Sequence, residues 1–174
     1  MSKIERLFPL SGVAFAALMA AISIATVALL SFGTALRREL DQGVWGSLAF
    51  AGAIVAATGI AVSSAVGAAA AAAADQGAVN ATYVLNQLSN NDFVPWLAGF
   101  SAMMLASGLG ALNVGRSRPL AWAGIALGLG LWTPVGFFAF PLILLWIAAM
   151  GIGLSRRAVM SDAPRIRVIA DPLA

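Results

Sequence analysis

The sequence predicts an all-α protein, a polytopic transmembrane helical bundle of five spans, and three observations carry that reading. First, 61% of its 174 residues are hydrophobic and 10% charged, with a mean hydropathy of +0.93, whereas charged residues make up about 25% of an ordinary soluble domain. Second, no charge interrupts residues 7–36, 42–74, 93–115 or 119–155, and each stretch exceeds the roughly 20 apolar residues a helix needs to cross a bilayer. Third, the last stretch as one helix would run about 55 Å at 1.5 Å per residue, well beyond a hydrocarbon core of about 30 Å. It also contains Pro134 and Gly136. Proline removes a helix hydrogen bond and glycine permits a reversal, so the chain is expected to break there.

The first span, about 9–33, reads as a retained helix rather than a cleaved signal. Its apolar run from Val13 to Leu30 outlasts the roughly 7–15 residue core of a signal peptide. The second, about 44–73, places Gly52, Ala56, Gly59, Ser63 and Gly67 on one face by their spacing of three and four. Helices in lipid associate where small residues let backbones approach, so this face is a candidate packing surface. The run Ala68–Ala74 is barely hydrophobic enough for lipid, which predicts that it is enclosed by other helices or leaves the bilayer.

Between Asp75 and Asp92, apolar Val79, Tyr83, Val84, Leu85 and Leu88 alternate helically with Asn80, Asn86 and Gln87. A short amphipathic helix over 78–90, lying on the outer surface, is expected, with Asp92 capping the helix that begins at Phe93. The third span, about 93–114, carries Ala102, Ala106 and Gly110 as packing candidates. The fourth, about 118–133, carries Gly124 and Gly128 as a GxxxG pair. The fifth covers about 137–155, after the helix break at Pro134 and Gly136, and a basic tail follows at 156–174. The alternative is four spans with a long, Pro-kinked last helix.

Short cytoplasmic loops carry an excess of Lys and Arg. Five spans with the N-terminus outside place arginines 37, 38, 116, 118, 156, 157, 165 and 167 inside and only Lys3 and Arg6 outside. Four spans divide the cations almost evenly, so the charges favour five with a cytoplasmic C-terminus. Trp45, Trp96 and Trp122 open their spans and Trp132 closes the fourth, as interfacial aromatics do. Trp146 falls mid-span, where its ring N–H needs a partner, and is expected inside the bundle.

The chemistry open to the chain is narrow. Histidine and cysteine are absent, which removes imidazole bases, thiolate nucleophiles and their metal sites. No ionisable side chain lies within a span, where such groups mark proton relays, ion pathways and voltage sensors. The Arg37–Asp41 segment reads as a solvated turn, and the glycines at 108, 110, 124, 128 and 130 follow no strand, as a dinucleotide-binding loop would require. No catalytic residue, cofactor or nucleic-acid partner is implied.

The segments LNQLSNNDFVPW (85–96) and AWAGIALGLGLWTPVGFFAF (121–140), with Leu145-Trp146, resemble a family of small polytopic bacterial inner-membrane proteins with a domain of unknown function. That resemblance implies a hairpin at Pro134 and a plasma-membrane location, and no activity. The chain departs from it at Ser117-Arg118-Pro119, where such families carry Pro-Arg-Trp. A non-enzymatic role is expected: a helix-packing subunit or modulator that meets the lipid bilayer and associates with itself or with another membrane protein. The alternative is a carrier or pore for a small neutral or lipophilic molecule, lined by Thr58, Ser63, Ser64, Ser101 and Ser107. A lipid-directed enzyme using Asp75, Asp92 or the Arg37–Asp41 turn ranks third.

Overall fold

The computed structural model describes residues 8–40, 43–115, 117–134 and 136–161. Lys3, Arg6, Asp41, Arg116 and residues 162–174 of the basic tail lie outside the described residues. Six α-helices follow one another: α1 (Phe8–Glu39), α2 (Val44–Asp75), α3 (Val79–Ser89), α4 (Phe93–Asn113), α5 (Arg118–Gly130) and α6 (Gly136–Ser161). Among the described residues, Ala20–Glu39, Val44–Asp75 and Val79–Asn113 are long and apolar enough to cross a membrane, and Phe140–Leu154 is a shorter apolar segment. The protein is thus an all-α, membrane-embedded bundle.

Its spine is an antiparallel hairpin. α2 rises to a tip at Gly77, whose φ of +66° suits glycine, and α3 and α4 return along it. The register is legible in the closest approaches: Gly52 lies against Met103, Ala56 against Gly99, and Gly59 against Trp96. It continues past the bundle, where Ala70 and Ala74 share a groove with Thr82, Tyr83 and Asn86. The helix expected over 78–90 is therefore α3, and it runs back along α2. Asp92 stands at the first position before α4, but its side chain makes no capping bond. Its ψ of 2° is not the extended geometry from which an N-cap side chain reaches back to the helix amides.

α1 packs on the first half of α2, with Gly33 against Ala53 and Gly46 against the Arg37 carbonyl. On the other side of α4, α5 runs antiparallel to it, Gly128 beside Ser101 and Gly108 beside Ala121. The stretch 118–155 breaks where expected: α5 ends at Gly130, residues 131–134 turn, and α6 returns antiparallel, its Trp146 Nε1 donating to the Leu120 carbonyl at 2.9 Å. That bond is the partner the mid-span indole required, and Trp146 is 4% exposed. Leu29 and Leu36 of α1, Phe100, Met103 and Met104 of α4, and Ile143 of α6 meet in a common core.

The helices differ in length in a way that shapes the bundle. At 1.5 Å per residue α2 is about 48 Å long, α4 about 31 Å and α5 about 20 Å. α4 matches the roughly 30 Å apolar core, α2 overshoots it, and α5 falls short.

Candidate functional site

The small-residue face sorts into tight and open positions. A methyl group added at Gly52 would stand 2.5 Å from the Met103 amide nitrogen and at Gly59 2.7 Å from the Trp96 amide nitrogen, and at Gly99 it would run into the Ala56 amide nitrogen. These are backbone contacts, which nothing bulkier than hydrogen could enter. Gly110 sits against Leu40 and Trp45, Gly124 against the Trp146 ring, and Gly128 against Leu105. Ala106 is buried, whereas Ala102, one turn before it, is exposed. Nothing lies within 4 Å of a methyl added at Gly67. Gly99 is not among the packing candidates that the sequence offers, and Gly108 is named there with no partner; their neighbours, Ala56 for Gly99 and Ala121 for Gly108, emerge only from the three-dimensional register.

The hydroxyls proposed to line one path are dispersed. Ser107 donates to the Met103 carbonyl of its own helix. Ser101 Oγ donates to the Gly128 carbonyl at 2.7 Å and accepts the Trp132 indole N–H at 3.0 Å, tying α4 to the end of α5. Thr58 faces the opposite side of α2, in an open groove of about 610 Å³ between α1 and α2. That groove is floored by Ala57, Ala61 and Ala65 at four-residue spacing and bordered by Thr26 and Thr34 of α1. Both threonines bond their hydroxyls to the carbonyl four residues back, at 2.9 Å, so the groove presents little unsatisfied polarity.

Ser63 and Ser64 belong to a different space, a recess of about 800 Å³ where the hairpin passes the α5–α6 turn. The recess exists because α5 is short. α4 continues beyond the last residue of α5, and Thr133, Pro134 and Gly136 of the turn line the gap together with Ser89 and Asn90 at the foot of α3. Trp96 and Phe140 line it and pack edge to face, with centroids 5.7 Å apart, and Phe100 backs them, its centroid 5.9 Å from that of Phe140. Among the described residues, Ser63 Oγ and Asp92 Oδ2 are buried side-chain oxygens without a hydrogen bond. Ser63 lines this recess, and Asp92 precedes Phe93, which also lines it.

Charge divides the described residues between the two ends of the bundle. Arg37, Arg38 and Glu39 close α1 and Arg118 opens α5 at one end, while Asp75 and Asp92 flank α3 at the other. The Arg37 guanidinium lies 5.7 Å from the Phe50 ring centre, a cation–π contact at the edge of the apolar zone. No group of three or more acidic side chains that could hold a metal ion occurs among the described residues.

No protein-family model, curated protein or solved structure matches the chain.

Proposed function

We propose that the protein is a non-enzymatic, helix-packing subunit or modulator of a membrane assembly. The observation that carries this reading is the open groove between α1 and α2. Its floor of Ala57, Ala61 and Ala65 is a small-residue ladder of the kind that receives a neighbouring helix in lipid; Ala57 is buried at one end of it, and Ala61 and Ala65 stand exposed among the described residues. The groove continues onto the Ala-rich second half of α2, where no residue is buried.

In this reading the chain crosses a bacterial inner membrane five times with its C-terminus in the cytoplasm. The gathering of Arg37, Arg38 and Arg118 at one end supports that orientation through the bias of cytoplasmic loops. The separation of α5 from α6 supports five crossings over four.

Light-scattering mass of the full chain in mild detergent tests the proposal. The expected mass exceeds one chain, through a second copy or a defined membrane partner, and Ala61→Trp, which fills the groove, restores the single-chain mass. A monodisperse single chain in the unmodified protein overturns it. The carrier or pore reading has the recess beside Ser63 and Ser64 in its favour. Conduction between α2 and α4 has nothing in its favour, since the backbones touch at Gly52 and Gly99.

A further inference from the structure

The recess at the α5–α6 turn has a layered chemistry. Toward the hairpin tip it offers neutral donors and acceptors from Ser63, Ser64, Ser89, Asn90 and Thr133; toward the bundle centre it offers Phe93, Trp96 and Phe140. The boundary between the layers falls where α3, none of whose residues is buried, gives way to α4, whose interior face is buried from Gly99 onward. That places the recess at one end of α4, whose length of about 31 Å matches the apolar core of a bilayer, and so toward the headgroups.

The turn itself adds a second reason. Residues 131–134 are not helical, and Trp132 of this turn reaches Ser101, two turns inside α4. Irregular backbone at such depth is tolerated only where it is covered by protein or lines a cavity holding polar partners. The turn's own N–H groups are closed locally: Trp132 bonds the Leu129 carbonyl, Thr133 the Gly130 carbonyl, and Gly136 the Thr133 carbonyl. Its apolar flank, with Pro134, still borders the open recess.

Ser63 is the third. Helical hydroxyls in this chain turn back to the carbonyl four residues earlier, as Thr26, Thr34, Ser64 and Ser107 do, yet Ser63 Oγ has lost water without gaining any partner. A buried hydroxyl without a hydrogen bond is an unmet demand, and a rotation about the Ser63 Cα–Cβ bond would turn it toward a ligand hydroxyl in the recess that this residue lines.

We propose that this recess binds one single-chain amphiphile with an uncharged, hydroxyl-bearing head. The head lies among Ser63, Ser64, Ser89 and Asn90 and the chain along Phe93, Trp96 and Phe140. The volume, about 800 Å³, is that of an ordinary small-molecule site. An anionic head is disfavoured because no cationic side chain lines the recess and Arg37, Arg38 and Arg118 stand at the far end. A cationic head is disfavoured in the same way, since no acidic side chain lines the recess. The site is separate from the α1/α2 groove, so its test is independent of association.

The experiment titrates the full chain in detergent with monooleoylglycerol, oleate and oleylamine, reading occupancy by native mass spectrometry and stability by thermal unfolding. One monooleoylglycerol is expected to bind saturably, at least about tenfold tighter than either charged analogue, since each would bury an unmatched charge. Asn90→Trp, which fills the mouth, should abolish that binding while Ala61→Trp leaves it unchanged. Ser63→Ala should raise the unliganded unfolding temperature, by removing the orphaned hydroxyl, and weaken the lipid by about fivefold, the worth of one ordinary hydrogen bond. This opposite movement is the readout if Asn90→Trp does not fold. Unsaturable uptake, equal binding of either charged analogue, or a Ser63→Ala protein less stable when unliganded and unchanged in affinity overturns the proposal.

Discussion

The two halves of the α2 hairpin are built from nearly the same alphabet and behave as different materials. Between Gly46 and Gly59, α2 buries seven residues, all Gly or Ala, and its backbone touches that of α4. Beyond Ile60, α2 is alanine-rich and paired with α3, and neither it nor α3 buries a single residue. Small side chains alone therefore do not make a packed interface. What separates the halves is glycine meeting glycine or alanine in register, Gly52 and Ala56 straddling Gly99, together with further helices on both flanks. In lipid, where burial of apolar surface drives little association, that close fit supplies the dispersion contacts that hold the bundle.

The contrast can be broken most forcefully at Gly99. Gly99→Val is expected to destabilise the fold by about 3 kcal/mol, at the upper end of overpacking costs, because its side chain would enter the backbone of α2. Reversible unfolding in mixed detergent checks this, and a loss below about 1 kcal/mol, the low end of that range, would show the register to be wrong. A smaller effect is expected at Ser101. Ser101→Ala removes a hydrogen bond to Gly128 and leaves the Trp132 indole without its acceptor, for a loss of about 2 kcal/mol. A shift of tryptophan emission to longer wavelength should accompany it, separating release of Trp132 from general loosening. The smallest effect carries the opposite sign. Gly67→Ala, in the bare half with open space around it, should stabilise by up to about 1 kcal/mol through helix propensity. A destabilised Gly67→Ala protein would reveal a partner on this face and bring the two halves closer in kind.

Much of this architecture was legible from residue order, and the boundary of legibility has physical causes. Pro134 and Gly136 announced the break before α6 because their backbone chemistry is local. The Val79–Leu88 spacing announced α3 for the same reason. The surface on which α3 rests was not legible, since helical periodicity marks a face without naming its partner. Asp92 stood where a capping residue stands, yet capping depends on a ψ angle that neighbouring turns decide. Gly99 was hidden by the abundance of alanine: when almost every spacing is occupied by something small, only three-dimensional register distinguishes the glycine that is touched from the alanine that is not. The recess escaped entirely. It arises from a difference in length, α5 stopping at Gly130 a few residues short of Pro134, and no single side chain records that difference.

The brevity of α5 also bears on the lipid around the molecule. The protein presents a tall apolar wall on its α1/α2 side and a low one beside α5, so the annulus of lipid cannot be relaxed on both flanks at once. Each ångström of unmatched height costs a fraction of a kcal/mol, a penalty that beside α5 falls in thin bilayers and rises in thick ones. A protein shaped this way orders the lipid around it, thinner beside α5 and thicker beside α1 and α2, and any assembly it joins would inherit that asymmetry.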